Sequence, residues 1–392
     1  MTAVARLELE TFVDRARAAG RFGIDTEFVG EGRYRTLLCL IQLVVHDDAG
    51  LTVIVVDPLD EQVELAPLAS ILADPAIEVV VHAGRQDVAL LRRCLDTEVT
   101  RLFDTQVAAG FGGLAAQAGY DALLREVLGV NVQKTASYTR WDRRPLSPEQ
   151  LGYAREDVLH LLELAAELER RLTASGRLDW ALEECRALEL ASDARDPDTL
   201  FARLPRINSL KASARAVARE LVEWREEVAE AQDRPASTVL NDAALVELAK
   251  RRPKSPGELE QIRGVNPGSL RRRGTHLLAA IERGAGRDPI PAESSQHESS
   301  SPLDAPLIAL CEALVRARAL EGRLAYELIA ARADLQRIVT SVRAGKAEPD
   351  LRTLRGWRRE VVGDELLELL GGRHTLAVGG DGRLTVCPRP LT

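Results

Sequence analysis

Aromatic residues are scarce in this sequence, since Phe, Trp and Tyr together make up 4% of its 392 residues. So few rings argue against a platform of stacked bases as the main contact with a nucleic acid. No apolar run approaches the roughly 20 residues of a membrane-spanning helix, and the N-terminus lacks the charged-then-apolar pattern of a signal peptide. We therefore expect no membrane partner and a cytoplasmic location.

Cysteine is also sparse, and its spacing excludes two kinds of site. The five cysteines are odd in number and far apart, which matches neither paired zinc ligands nor a disulfide framework. A reducing compartment is the simplest interpretation. The cysteines are Cys39, Cys94, Cys185, Cys311 and Cys387.

Charge is unevenly distributed along a chain long enough for two or three domains. Residues 1–204 contain 22 Lys and Arg against 34 Asp and Glu, a net charge of −12. Residues 205–290 contain 16 against 12, a net charge of +4, and residues 291–392 contain 14 of each sign. The acidic excess therefore lies in the N-terminal half, and the middle is mildly basic.

The most informative segment of that acidic half is Phe22–Phe28, where apolar residues alternate with Asp25 and Glu27. A period of two predicts a strand with both carboxylates on one face, about 7 Å apart at their Cα atoms. Two acids there indicate either a solvent-facing edge strand or a cation site. An aspartic-protease motif is disfavoured, because Glu27 stands where that family has Gly after Asp-Thr.

Further acids lie at positions where strands and helices meet. Asp87 falls in the first turn of a predicted helix, where the helix dipole alone favours an acid, and Asp104 is predicted to be an N-cap. Tyr153 and Asp157 are four residues apart and are expected on one helix face, where a simple hydrogen bond is the alternative to a functional pair. Strands, then β-α-β, then helices predict an α/β domain with a mixed sheet flanked by helices.

Together, three motifs resemble those of the DEDDy superfamily of 3′-to-5′ exonucleases, and specifically the ribonuclease D family. They are Asp25-Thr26-Glu27, the turn from His82 to Asp87, and Tyr153 with Asp157; the Trp-containing segment Thr139–Ser147 is also similar. The resemblance implies a ribonuclease-H-like fold and a site in which Asp25, Glu27, Asp87 and Asp157 bind two divalent cations, Mg²⁺ or Mn²⁺. It also implies that Tyr153 orients the attacking water, and that the loop Gly32–Leu37 lies near the substrate.

Under this resemblance the protein is a 3′-5′ exoribonuclease that releases 5′-mononucleotides, acts on structured RNA such as tRNA precursors, and works as a monomer. Two alternatives stay open at this point. One is a DNA 3′-5′ exonuclease in repair, because no residue can be assigned to reading a 2′-hydroxyl. The other is a nucleic-acid-binding scaffold that has lost catalysis, although all four acids and Tyr153 are retained.

The rest of the chain is predicted to be all-α, in two small helical bundles. Residues 208–286 resemble the helicase-and-ribonuclease-D C-terminal (HRDC) domain through Leu240–Leu245 and Pro256–Leu259, and a weak repeat of about 90 residues makes 303–392 a second, divergent copy. The predicted limits are 1–200 for the exonuclease domain and 287–302 for a flexible linker. Glycines around Asp381 predict a C-terminal hairpin over 375–386.

Basic residues of the first bundle are candidates for contact with RNA phosphates, the alternative being ordinary solvated helix charge. They fall in two clusters, one near residue 252 and the other an arginine triplet. The candidates are Lys250, Arg251, Arg252, Lys254, Arg271, Arg272 and Arg273.

Overall fold

The computed structural model describes residues 2–132, 140–265, 267–292, 301–346 and 349–389, without the side chains of residues 2–6 and 267–271. Thr139, the predicted linker's residues 293–300 and the Arg271 side chain therefore lie outside the description. The chain forms two compact units. The first contains Met1–Glu27, Leu38–Ser192 and His297–Thr392, and the second contains Phe28–Leu37 and Asp193–Gln296. The domain limits given above stay predictions, because these units are defined by packing.

A mixed five-stranded sheet is the centre of residues 1–192, which confirms the predicted fold class. Its strand order is β3-β2-β1-β4-β5, with β1 parallel to β4, β4 parallel to β5, and β2 antiparallel to β3. Consecutive residues of β2 and β4 are buried and, apart from Gln42, apolar, as expected for strands covered on both faces. The strands are β1 Arg21–Val29, β2 Leu37–Asp47, β3 Gly50–Val56, β4 Glu78–Val81 and β5 Leu102–Asp104.

Eight helices of residues 1–192 accompany this sheet in the described part of the chain, and a π-helical turn, Leu124–Leu128, follows α5. No helix among the described residues is both long and apolar enough to cross a membrane. The helices are α1 Thr2–Ala19, α2 Ala66–Leu72, α3 Arg85–Leu95, α4 Thr105–Phe111, α5 Tyr120–Leu123, α6 Pro148–Leu159, α7 Leu161–Ala174 and α8 Leu178–Glu189.

The second unit is helical, as predicted, and its core includes a residue from the β1–β2 connection. The Tyr34 ring is buried in the same cluster as Phe201 and Leu221, and the Arg195 guanidinium lies 5.0 Å from its centroid. The Tyr34 ring is therefore part of the hydrophobic core of the second unit. The helices are α9 Pro197–Ala202, α10 Ala212–Ala231, α11 Ala236–Val239, α12 Asp242–Arg251, α13 Pro256–Glu260 and α14 Pro267–Ala285, with a 3-10 turn at Ile207–Ser209.

The C-terminal bundle shares a hydrophobic core with residues 1–192, inside the first unit. Trp357 packs edge-on against Phe111, with ring centroids 4.9 Å apart, and stacks on Trp180 at 5.6 Å. The predicted hairpin is present as β6 His374–Val378 and β7 Leu384–Pro388, paired antiparallel. The bundle comprises α15 Asp304–Gly322, α16 Tyr326–Ile329, α17 Arg332–Arg343, α18 Gly356–Arg358 and α19 Asp364–Leu370, with a 3-10 turn at Arg352–Leu354 and a π-helical turn at Arg359–Gly363.

Candidate active site

Strand β1 presents Asp25 and Glu27 on the face opposite to its buried residues. Phe22, Ile24 and Thr26 are buried, whereas the two acids are partly exposed, which is the alternation the sequence predicts. A glycine precedes them on the acids' face: a Cβ built on Gly23 would stand 2.6 Å from Val44 Cγ1 and 3.1 Å from Leu161 Cδ2. The missing side chain thus lets α7 approach the sheet next to the two acids.

The turn between β4 and α3 positions Asp87, which is buried. Thr26 of β1 donates a hydrogen bond from its hydroxyl to Asp87 Oδ1. Asp104 is the N-cap of α4, as predicted, and its carboxylate also accepts the backbone N–H groups of Ala83 at 3.1 Å and Gly84 at 2.9 Å. Sequence reasoning did not foresee this second role, which holds the turn that leads into Asp87.

Helix α6 carries Tyr153 and Asp157, whose side chains are hydrogen-bonded to each other. The helix begins with a capping box between Ser147 and Gln150, which fixes its first turn. The Trp141 ring is buried and lies 6.1 Å from that of Tyr153. Part of the Trp-containing segment thus supports the tyrosine, although Thr139 is outside the described residues.

Arg144 anchors that segment to the sheet. Its Nη2 donates to Asp57 Oδ1 at 2.6 Å and to the Cys39 carbonyl at 2.8 Å, and its Nη1 donates to the Trp141 carbonyl at 2.7 Å. A guanidinium is suited to this, because its planar donors reach several acceptors at once. Arg144 therefore holds the backbone of Trp141, whose ring lies beside Tyr153.

The four acids influence one another electrostatically, although they come from three separate segments. Burial and then the charges of Asp87, Asp157 and Glu27 raise the pKa of Asp25 well above its usual value. Burial and then Asp157 and Asp87 raise the pKa of Glu27 to about 8. Like charges held this close disfavour ionisation of each other, and a cation between them reverses that effect.

Burial is the main cause of the pKa shifts at the remaining members of the site. Burial raises the pKa of Asp157 to about 7, against the opposite effect of its hydrogen bond with Tyr153. Burial also raises the pKa of Asp87, partly offset by the Thr26 hydroxyl. Burial and then the charge of Asp157 raise the pKa of Tyr153, so its phenol retains its proton at neutral pH.

This donor set fits a hard divalent cation. Its ligand atoms are carboxylate oxygens with no His or Cys among them, which suits Mg²⁺ or Mn²⁺. No three His, Cys, Asp or Glu side chains in the described ranges already stand together as a ready-made metal cluster. The charges of Asp87, Asp157 and Glu27 nevertheless act on Asp25, so the four carboxylates lie within electrostatic range of one another.

Tyr120 is a neighbour of the site that sequence reasoning missed. Its hydroxyl accepts the backbone N–H of His160, three residues after Asp157, at 3.2 Å. Its ring lies 5.5 Å from that of His82, at the start of the turn that leads to Asp87. No motif marks Tyr120, since it touches the site through the fold alone.

The predicted basic residues are in two places. Arg251 pairs with Glu247, Arg252 donates to the Ser213 hydroxyl at 3.4 Å, and the Lys254 backbone N–H donates to Glu258. Arg272 and Arg273 instead line a cleft of about 510 Å³ in the second unit, with His276 among other residues. The structure does not bring the cluster near residue 252 into this cleft.

Known families and proteins are similar to this chain in sequence. Residues 5–173 match the 3′-5′ exonuclease family model, and residues 214–281 match the HRDC domain model. The chain is 38% identical to ribonuclease D of Gluconacetobacter diazotrophicus, covering 95% of this chain and 93% of that protein. It is 37% identical to ribonuclease D of Granulibacter bethesdensis, covering 91% and 89%.

A solved structure agrees over nearly the whole length. The crystal structure of Escherichia coli RNase D, an exoribonuclease involved in structured RNA processing, superposes with a TM-score of 0.79 at 29% identity. It covers 93% of this chain and 96% of that protein. The exonuclease fold and the acidic site together indicate dependence on a divalent metal. Sequence identity over almost the full chain and the shared fold show that this protein belongs to the ribonuclease D family of 3′-5′ exoribonucleases.

Proposed function

We propose that this enzyme trims the 3′ ends of structured RNA, such as tRNA precursors, at a site formed by Asp25, Glu27, Asp87, Tyr153 and Asp157. The observation that carries the proposal is the electrostatic coupling of four acids from β1, α3 and α6. Such a cluster destabilises the fold unless cations use it. The Escherichia coli relative, which is involved in structured RNA processing, supports this substrate class.

In the proposed mechanism, Asp25, Glu27, Asp87 and Asp157 would hold two divalent cations, Mg²⁺ or Mn²⁺. Bound cations would supply an activated water and charge neutralisation at the terminal phosphodiester. Tyr153 would orient that water rather than deprotonate it, because its phenol keeps its proton and is held by Asp157. The products would be 5′-mononucleotides, released one at a time.

The body of the RNA would bind at the cleft in the second unit. Arg272 and Arg273 line this cleft, and both also line an adjoining pocket that includes Arg234. Burial followed by the charges of Arg272 and Arg234 lowers the pKa of Arg273. Cations crowded in this way gain from a phosphate placed between them. The cleft thereby retains two of the residues that the sequence nominated, Arg272 and Arg273, and Arg234 lies next to it.

Replacing Arg272 with Ala should weaken RNA binding by removing one phosphate contact. The slope of log binding constant against log salt should fall by about 0.7 for single-stranded RNA. Fluorescence anisotropy at several salt concentrations measures this. Arg251→Ala is the matched control, because Arg251 already pairs with Glu247 outside the cleft. Equal losses in both variants would contradict a binding role specific to the cleft.

The direct test of the function uses matched RNA and DNA strands labelled so that single-nucleotide shortening is visible. We expect stepwise loss of 5′-mononucleotides from the 3′ end of RNA, with Mg²⁺ or Mn²⁺ and not with chelator. Preference for DNA would instead assign the enzyme to repair. Tight RNA binding with no cleavage under either metal would favour a scaffold.

None of the five cysteines, all of which are among the described residues, forms a disulfide, which supports a reducing compartment such as the cytoplasm. We also propose that the enzyme works as a monomer. Sedimentation equilibrium in the presence and absence of RNA measures this directly.

A further inference from the structure

Gln42 is a polar side chain in the middle of an apolar strand. Its neighbours along β2, Ile41 and Leu43, are fully buried, and Gln42 itself has 0% exposure. Within the described part of the chain, neither Nε2 nor Oε1 of its amide has a hydrogen-bond partner. An unpaired buried amide destabilises a fold, so a leucine would serve packing better at this position.

The topology places Gln42 beside Asp25. Strands β1 and β2 are neighbours in the sheet, and only seven residues, 30–36, connect them. So short a connection permits antiparallel pairing only, since a parallel crossover needs a dozen residues or more. A Cβ on Gly23 would touch Val44, so these two positions face each other on one side of the sheet. Two residues further along β1 and two residues back along β2 bring Asp25 and Gln42 together on that same side.

The same side of the sheet is covered by the helices of the active site. Leu161 of α7 reaches the Gly23 position, and α6, which carries Tyr153 and Asp157, packs against β3. Gln42 pairs with Val55 of β3 on its other flank. The backbone of Gln42 therefore lies between the strand that carries Asp25 and the strand that contacts α6. Its side chain stands out from the sheet on the side that Leu161 covers.

The chemistry of an amide suits this position better than its alternatives. An ionised Asp25 carboxylate gains from a hydrogen-bond donor, and an amide supplies one without adding a charge. A glutamate would place a fifth negative charge among four, and a leucine would supply no donor. A neutral donor that reorients by rotation of its terminal bonds meets the need.

We propose that Gln42 is a positioning residue of the active site, whose amide N–H donates to the Asp25 carboxylate when cations are bound. This inference rests on the proposed metal-dependent function. Groups that orient metal-binding carboxylates in this way tune metal affinity, although they do not touch the metal.

The test is Gln42→Leu, which keeps the size of the side chain and removes its polar atoms. We expect the dissociation constant for Mn²⁺, measured by calorimetry without RNA, to rise about ten- to a hundredfold. Turnover should fall while the KM for RNA stays unchanged. The melting temperature in chelator should rise, because the unpaired amide is gone.

Thr353→Val is the matched control. Thr353 also has 0% exposure, and its hydroxyl has no hydrogen-bond partner among the described residues, but it belongs to the C-terminal bundle. The control should raise the melting temperature and leave Mn²⁺ affinity and turnover unchanged. Wild-type Mn²⁺ affinity and turnover in Gln42→Leu would overturn the inference. Failure of the wild-type enzyme to cleave RNA would instead reject the proposed function, and the calorimetric comparison would still decide the role of Gln42.

Discussion

Asp25→Asn is expected to reduce turnover by about a thousandfold or more, because several kcal/mol of charge stabilisation at the reacting phosphate would be lost. The substitution keeps the volume of the side chain and removes the charge that the three other acids all influence. Single-turnover cleavage of labelled RNA at saturating Mg²⁺ measures the effect. Turnover within tenfold of the wild type would exclude Asp25 from the metal site.

Asp25→Asn should lower turnover but should not lower the stability of the fold. In chelator, the Asn variant should melt at the same temperature as the wild type or higher, because a half-buried acid repelled by Glu27, Asp87 and Asp157 is costly. The rise in melting temperature on adding Mg²⁺ should disappear, since ligand binding no longer favours the folded state. Asp48→Asn, at an exposed turn position, is the control and should retain both activity and the Mg²⁺ effect.

Trp357→Ala is expected to lower the free energy of unfolding of the first unit by about 3–5 kcal/mol, the usual cost of removing a buried tryptophan. Trp357 is 2% exposed and packs against Phe111 and Trp180 of the nuclease part. Its Nε1–H donates to Glu184 Oε1 at 3.1 Å, so the variant also leaves that carboxylate with one donor fewer. Urea unfolding followed by tryptophan fluorescence and circular dichroism measures the loss.

Two further variants separate the contribution of the Trp357 hydrogen bond from that of its buried ring, and provide an exposed control. Trp357→Phe keeps an aromatic ring and should lose only about 1.5–3 kcal/mol, the value of a hydrogen bond to a charged group. Leu320→Ala, at a position 80% exposed in the same bundle, should change stability by no more than about 0.5 kcal/mol. A Trp357→Ala variant as stable as Leu320→Ala would show that the bundle contributes nothing to the nuclease core.

Arg358 adds a buried ion pair to the apolar contacts between the C-terminal bundle and α8. Its guanidinium is 3% exposed and binds Glu184 through two parallel contacts of 2.5 and 2.6 Å, while its Nε donates to the Leu328 carbonyl at 2.8 Å. The Arg358 guanidinium and the Trp357 N–H keep the pKa of Glu184 below its usual value despite burial. A buried pair of this kind fixes one arrangement of the elements it joins, because any other leaves a charge unpaired.

Local patterns were sufficient for the elements that carry the active site. Alternation along Phe22–Phe28 placed Asp25 and Glu27 on one face, and a spacing of four did the same for Tyr153 and Asp157. The Asp104 cap and the hairpin near Asp381 were also predictable, because each depends on residues within a few positions. Short-range geometry of this sort is set by backbone stereochemistry and side-chain chemistry.

The packing of residues that are far apart in the sequence could not be predicted from local patterns. Nothing near Tyr34 in the sequence indicates that its ring is buried beside Phe201, and no periodicity assigns Trp357 to the nuclease core. The basic residues show the same limit, since only packing separated the cleft residues Arg272 and Arg273 from Arg251.

The sequence by itself indicated the family and the mixed sheet, and it nominated the four acids with their tyrosine, because their motifs are local and occur in a fixed order. Only the tertiary structure decided which side chains surround those acids. Tyr120 and Asp104 bond to backbone groups close to the nominated acids, and Gln42 is buried in the strand beside β1, and these contacts form only in the folded chain. The physical reason is that burial and electrostatic coupling depend on distance in space, which the order of residues along the chain does not specify.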